Sequence, residues 1–384
     1  MAGNGDLPIT LGFEEEFFLV DPDSRGLLTD PDEGIFAACE ANRGPHKIVR
    51  EFLRSQIETN SRVCSSVAEV RAVLRETRRI VIGAAERHGA MVLAASTHPL
   101  ARWRDQTPTP RDRYGKLAAT FQETLRRAVA GGMHVHAGFA DADTRVRVMT
   151  AIRRYLPLLH ALSTSSPFNA GHETGFKSYR LTLWGGLPRT GMPGPLGSWA
   201  EYARLLAEYQ RMNFVKDGSE LWWDIRPSHA YPTVEMRICD VCTRVEEAVS
   251  IVAIYAALIR WLTRQALEGL LPAEPLTELI SEDRWMAQRY GVFAFLGDRA
   301  PGRGGRTDIY DQTAELVEKL VPDARVLGCE AELRYALTIL REGTSADRQL
   351  DAYRLHRLEG HTREDALRQV VDLVVAETKE GVEA

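Results

Sequence analysis

The sequence predicts an α+β protein folded as one large domain, and three observations lead there. Five short segments alternate apolar and polar residues with the period of two that marks a half-buried strand. Four longer segments repeat apolar residues at helical spacing. No linker, repeat or low-complexity tract interrupts the 384 residues, a length that alone allows up to about three domains. The predicted unit is therefore residues 1–384, with the polar motifs inside 8–300 and a helical C-terminal part over 310–380.

Taken in chain order, Leu11 to Val20 reads as a strand with Leu11, Phe13, Glu15, Phe17 and Leu19 on one face and Glu14 and Glu16 on the other. Two carboxylates on one face repel unless a cation lies between them or the face is an exposed acidic edge. A helix follows from Val67 to Arg87, its stripe carried by Val67, Val70, Val73, Leu74, Ile80, Val81 and Ala84, and Gly89 stops it. Met91 to Ala95 reads as a buried strand. In Met133 to Ala137, His134 and His136 share a face while Val135 points away. Asp143 to Leu162 reads as a helix with Val146, Met149, Ile152, Leu156 and Leu159 inward and a kink at Pro157.

Ser178 to Leu183 reads as a strand with Arg180 opposite Tyr179, Leu181 and Leu183. The Gly- and Pro-rich stretch from Gly185 to Gly197 is irregular. In Trp223 to Arg226, Asp224 and Arg226 lie opposite Trp223 and Ile225; in Thr233 to Ile238, Glu235 and Arg237 lie opposite Val234, Met236 and Ile238. A third helix opens at Thr243, which has capping-box spacing to Glu246, and runs through Val249, Val252, Ala256 and Ile259. Gly297 to Arg306, with Arg299, Arg303 and Arg306, reads as an irregular loop, either a functional lid or a disordered span. The tail from Thr362 to Glu377 is amphipathic through Leu367, Val370, Val371 and Val374.

Composition excludes several classes. With 48 basic and 53 acidic residues the net charge is −5, which argues against a nucleic-acid partner. Hydrophobic residues at 44% and charged residues at 26% argue against disorder and a membrane protein. The longest apolar run, Ile251 to Ile259, falls short of the roughly 20 residues that a bilayer span needs. Met1 to Leu7 shows neither a basic n-region nor an apolar h-region, so a secretory signal is not expected there. Five scattered cysteines, Cys39, Cys64, Cys239, Cys242 and Cys329, predict reduced thiols and a cytoplasmic protein. Cys239 and Cys242 lack the second pair that a zinc site would need.

Five strands with one apolar face, and carboxylates, imidazoles or guanidiniums on the other, would form a polar floor if joined in one sheet. Carboxylates attract hard cations such as Mg²⁺, which keep phosphate oxygens as further ligands. Arginines beside them suit phosphate or carboxylate. Together they point to phosphoryl transfer from Mg-ATP. Phosphate-loop, dinucleotide-fold, nucleophile-elbow and H-E-x-x-H motifs are all absent. A sheet with one solvated face, a metal-dependent amide hydrolase using His134 and His136, a phosphotransferase and a non-catalytic binding protein remain open on these residues alone.

Gly12-Phe13-Glu14-Glu15-Glu16 resembles the G-x-E-x-E strand of the type 2 glutamate–cysteine ligase family, in its bacterial carboxylate–amine ligase branch. The agreement continues in order through Ser96-Thr97-His98-Pro99, Met133 to Gly138, Ser163 to Phe168, Ser178-Tyr179-Arg180, Trp223 to Ser228 and Thr233 to Arg237; Trp285 to Gly291 matches more loosely. The resemblance implies a glutamine-synthetase-like fold, a curved and mostly antiparallel sheet with helices on its outer face. It also implies ATP-dependent joining of a carboxylate, glutamate in many members, to an amine through an acyl phosphate, with Mg²⁺ or Mn²⁺. Glu14, Glu16, His134, His136 and Glu235 would then be metal ligands. Arg237, Arg226 and Asp224 would bind the nucleotide, Arg237, Arg180 and Arg226 would act in catalysis, and Arg180, Asn169 and Ser165 would hold substrate. His172 and Lys177, in the loop from Asn169 to Lys177, depart from the family pattern. A homodimer or higher homo-oligomer is expected.

Overall fold

Seven strands, β1 (Thr10–Val20), β2 (Lys47–Arg50), β3 (Gln56–Asn60), β4 (Met91–Leu93), β5 (Met133–Gly138), β6 (Ile225–Pro227) and β7 (Thr233–Met236), make one sheet in the computed structural model, which describes residues 7–298 and 302–382. Their order is β6-β7-β5-β1-β3-β2, with β4 paired to the end of β1. Every pairing in it is antiparallel.

The alternation of β1 decides what lies on each side. Leu11, Phe13, Phe17 and Leu19 join the main apolar core, together with α1 (Val67–Arg87) and the almost wholly buried α2 (Val245–Leu267). The helices Ile309–Val326 and Glu330–Glu342 complete that layer. On the other side of β1, Phe18 and Val20 enter a second core with Leu93, with Leu350 of α3 (Ser345–Leu358) and with Leu367, Val370, Val371 and Val374 of α4 (Arg363–Lys379). The face of Glu14 and Glu16 is thus polar at one end of the strand and sealed at the other.

Glu15, on the core side, is fully buried. Arg78 of α1 meets it with two hydrogen bonds, Nε to Oε2 at 3.1 Å and Nη2 to Oε1 at 2.5 Å, and donates also to the carbonyls of Thr243 (2.6 Å) and Cys242 (2.7 Å). The charge that the alternation placed in a core is paired there.

Several expectations need correction. Ser178 to Leu183 is not a strand: Arg180–Trp184 is a short helix whose last turn is closed by the amide of Gly185 bonding to the Leu181 carbonyl. Five residues are too few for 2.0 and 3.6 periods to be told apart. The segment around Pro157 is two helices, Ala142–Ile152 and Leu156–Ser163, and the break lies ahead of the proline at Arg153–Tyr155. There the Arg153 guanidinium is buried and bonded to Pro193 O, Thr277 and Glu274. α2 is capped by Arg244 with Glu247, one residue later than expected, because the Thr243 hydroxyl is spent on Ala94 O and Ser345. Trp223 and Ile225 belong to different strands, Trp222–Trp223 pairing with Thr190–Gly191 inside the stretch expected to be irregular. In the loop from Gly297 to Arg306, residues 299–301, Arg299 included, lie outside the described residues, as do 1–6; Arg303 pairs with Asp298 and Glu315. The five cysteines are free and buried, and no helix among the described residues is long and apolar enough to cross a membrane.

Arg78→Met would leave the Glu15 carboxylate buried without its partner, and it is expected to lower unfolding free energy by about 3–5 kcal/mol. The double variant Glu15→Gln, Arg78→Met is expected to recover part of that loss in a denaturant titration, whereas additive losses would show the two groups to be uncoupled.

Candidate active site

Register sets the site. On the polar face Glu14 of β1 stands opposite His134 of β5 and Asn60 of β3, and Glu16 stands opposite Glu58. His136 of β5 stands opposite Glu235 of β7, which stands opposite Arg226 of β6. Directly opposed residues in an antiparallel pair bring their Cβ atoms to about 4.5–5.5 Å. Four expected ligands, Glu14, His134, His136 and Glu235, are therefore neighbours by strand pairing, and Glu16 is one pleat further along.

The charges divide the site in two. Glu14 Oε2 is 2.9 Å from His134 Nδ1, and Glu14 Oε1 is 3.4 Å from His136 Nε2. Burial would raise the Glu14 carboxyl, but these imidazoles hold it well below its ordinary range. Burial and then Arg237 push His134 down to about 4. A neutral His134 facing an ionised Glu14 must carry its proton on Nδ1, which leaves the Nε2 lone pair for a ligand. His136 Nδ1 is bonded to the Thr233 hydroxyl at 3.0 Å, and its buried Nε2 makes no aligned hydrogen bond. Glu235 accepts from Arg226 at 2.9 Å and touches Arg237. Those two guanidiniums outweigh burial and keep its carboxyl low.

The other half is acidic and short of counter-charge. Glu16 accepts from the Gly132 amide at 2.7 Å, yet burial and Glu51 push it up to about 8, against the pull of Arg180. Glu58 is also raised well above its ordinary range, by burial and by Glu14, Glu51 and Glu16. The ligand oxygens of Glu16, Glu51 and Glu58 lie within 4.8 Å of one another, and so do the ligand atoms of Glu14, His134 and Glu235. Three crowded carboxylates suit a hard cation with oxygen ligands such as Mg²⁺ or Mn²⁺, and the mixed set with its free imidazole lone pair suits a second. The residues present fit the divalent ions that the resemblance implies.

Glu51 and Glu58 were missed in the sequence. Gln56-Ile57-Glu58-Thr59-Asn60 has the same alternation, with Gln56, Glu58 and Asn60 on one face, so the signal for Glu58 was there in a segment poor in apolar residues. Glu51 lies just past β2, held by the Tyr114 hydroxyl at 2.7 Å, and nothing local marks it.

The arginines differ from one another. Arg180 is buried, donates to the carbonyls of Ile238 (3.3 Å) and Arg237 (3.1 Å), and keeps Nε unpartnered. Gly132 makes room for it, since a Cβ there would fall 2.2 Å from an Arg180 nitrogen. Arg226 is fully engaged, by Glu235 and by the carbonyls of Ser219 (2.8 Å) and Leu221 (2.7 Å). Asp224 is taken up by Arg284, at 2.6 and 3.1 Å, a residue that the sequence did not single out. Both line a small pocket with Arg180, Arg237, Trp184 and Trp222. Ser165 is fully buried, its amide donating to Asp240 and its hydroxyl accepting from the Ser96 amide. Asn169 is half-buried in a ribbon that pairs Phe168–Asn169 with His172–Glu173, away from the sheet. Lys177 pairs with Asp347 of α3.

The model of a family described as glutamate–cysteine ligase family 2 matches residues 10–372. A relative from Rhodospirillum rubrum, provisionally named glutamate–cysteine ligase 2, is 44% identical over 372 residues, which cover 96% of this chain and 95% of its own. One from Jannaschia sp. with the same provisional name is 42% identical over 369 residues, 96% of each chain. The crystal structure of a glutamate–cysteine ligase from Francisella tularensis in complex with AMP superposes with a TM-score of 0.68 at 13% identity, over 98% of this chain and 90% of that one. The ligase PafA, in complex with the prokaryotic ubiquitin-like protein Pup, superposes at 0.52 and 12% identity, over 94% and 71%. These likenesses show the glutamine-synthetase-like fold. The reaction class that goes with the family is the ATP-dependent joining of a carboxylate to an amine as an amide. On the match of its whole sheet and most of its length, the chain belongs to glutamate–cysteine ligase family 2.

Proposed function

We propose that the protein activates the γ-carboxylate of glutamate with ATP and passes the acyl group to an amine. The observation that carries this reading is the division of one sheet face into two three-residue ligand sets with Arg180 and Arg237 beside them. Glu16, Glu51 and Glu58 would hold one divalent cation; Glu14, His134 and Glu235, with His136 adjacent, would hold another. Bound there, Mg²⁺ or Mn²⁺ would neutralise phosphate oxygens. A carboxylate oxygen of the donor attacks the γ-phosphorus as the bond to ADP breaks, giving an acyl phosphate. The amine nitrogen then bonds to the acyl carbon as phosphate departs with loss of a proton, which splits one difficult step into two.

Arg237 stands where charge grows on the transferring phosphoryl group, since it is less buried than Arg180 and shares Glu235 with the ligand set. Arg180, with its unpartnered Nε, binds the donor carboxylate. Arg226 has its donors engaged, so its part is to position Glu235 in place of the direct phosphate contact that the resemblance implied. Asp224 likewise positions Arg284 at the pocket wall. Ser165 acts indirectly, through Asp240 and the serines that hold the Arg180 backbone, and Asn169, which does not line the pocket, has no contact that supports the substrate role the resemblance implied. The protein works as one catalytic domain, because α3 and α4 furnish core to the strand that carries Glu14 and Glu16.

Arg237→Lys keeps the charge and loses the forked donors; ADP formation is expected to fall at least about 100-fold in a coupled assay with fold and melting temperature kept. Glu58→Gln removes a carboxylate that its neighbours repel. It is expected to leave stability unchanged or slightly raised while ADP formation falls and the Mg²⁺ requirement rises; unchanged Mg²⁺ dependence would remove Glu58 from the ligand set. Incubation with ATP, Mg²⁺ and glutamate against a panel of amines is expected to yield ADP and a γ-glutamyl amide by mass spectrometry. A phosphorylated product without an amide, or amide hydrolysis without nucleotide, would overturn the reading.

A further inference from the structure

We infer that the protein carries a separate binding site for a borderline transition ion of the Zn²⁺ kind, formed by His356, Glu359 and His361 where α3 turns into α4. The inference is independent of the ligase reading, since it concerns neither the sheet nor its ligands.

The turn is what brings the three residues together. α3 ends at Leu358; the Glu359 amide still bonds to the Leu355 carbonyl at 3.0 Å, and the Gly360 amide bonds to that of Arg357 at 3.3 Å. Gly360 then takes φ +90°, a conformation that side chains with a Cβ resist, and the chain doubles back so that the His361 amide reaches the His356 carbonyl at 3.1 Å. Arg357 donates to the His361 carbonyl at 2.6 Å, and Thr362 next in sequence caps α4. The turn brings His361 beside His356, with ring centroids 5.3 Å apart and planes at 75°.

The three ligand atoms lie within 4.8 Å of one another, and the two separations from the carboxylate are close to those around a tetrahedral ion. His356 Nδ1 is 3.0 Å from Glu359 Oε2, and His361 Nδ1 is 3.7 Å from the same oxygen. Ligands about 2.0–2.1 Å from a tetrahedral Zn²⁺ stand about 3.4 Å apart, and the two distances bracket that value. Two imidazoles and one carboxylate are a set that Zn²⁺ favours and Mg²⁺ does not, and with Glu359 and His361 exposed, water can supply a fourth ligand. His361 Nδ1 also lies 3.1 Å from the His356 carbonyl. On ligation the neutral His356 and His361 rings each carry their proton on Nε2, and the hydrogen bonds that their Nδ1 atoms make to Glu359 and to the His356 carbonyl are exchanged for the ion. The bound ion would pin the turn of a helical hairpin whose first helix holds Lys177 through Asp347 and the Ser165 carbonyl through Gln349.

Isothermal titration of the full chain with ZnCl₂, in millimolar MgCl₂ to occupy the oxygen-rich ligand sets, tests this. The wild type is expected to bind one more Zn²⁺ per chain than His356→Ala, His361→Ala and to melt at a higher temperature when Zn²⁺ is added, a shift that the double variant lacks. Glu359→Gln is expected to weaken that ion at least tenfold, and His361→Cys to retain it. ADP formation with Mg²⁺ is expected to be the same in all four proteins. Equal zinc stoichiometry and affinity in wild type and double variant, or no zinc bound by the wild type at micromolar concentration, would overturn the proposal.

Discussion

The pair between Glu15 and Arg78 governs the rest of the molecule. Side chains along a strand alternate, so a slip of one residue in β1 would carry Glu14 and Glu16 into the apolar core and turn Phe13 and Phe17 out. Glu15 prevents the slip. Its carboxylate is wholly buried and has one partner able to neutralise it, and Arg78 is itself fixed by the carbonyls of Cys242 and Thr243 beyond the end of β7. A buried ion pair of this kind is weak evidence of stability and better evidence of registry. The register that it locks is the one that presents Glu14 and Glu16 to the open face.

On that face the two halves are built on opposite electrostatic terms. Around Glu235 and Glu14 the protein supplies cations and hydrogen-bond donors, and both carboxyls are held low. Around Glu16, Glu51 and Glu58 it supplies a neutral donor to each, from Gly132, Tyr114 and Asn60, but no ion pair among the described residues, and Glu16 and Glu58 are held high. The second arrangement is costly without a cation, and it is a store of affinity for one. Beneath the face, Asp240 accepts from the Ser165 amide, the Ser166 hydroxyl and the Ser178 hydroxyl, and Ser166 in turn accepts from the Arg180 amide. The serine-rich motifs are therefore a scaffold that aims Arg180, where isolated inspection would take their hydroxyls for reactive groups.

Legibility followed alternation and length. β1, β5 and β7 were readable because apolar and ionisable residues alternate in them without interruption, and the same reading placed Glu14, Glu16, His134, His136, Glu235 and Arg237 on polar faces. α1 and α4 were readable because each repeats its apolar stripe over several turns. Arg180 was assigned to a strand because its five-residue helix is too short for periods of 2.0 and 3.6 to be told apart. Glu58 escaped notice because its strand has one strongly apolar residue, Ile57, and earns its place by pairing with β1 and β2. Glu51 and Arg284 have no local pattern at all.

By itself the sequence determined the polar faces of β1, β5 and β7 and the Glu14, Glu16, His134, His136 and Glu235 that occupy them, because that depends only on the chemistry of neighbours two positions apart. It also determined the family, through the order of its motifs along the chain. Tertiary structure decided the partners. Only strand order and register could put Glu58 opposite Glu16, bring Glu51 into the same cluster across a turn, and give Arg226 to Glu235 and Arg284 to Asp224. Most of those pairings join residues some tens of positions apart, and local periodicity holds no information about such distances.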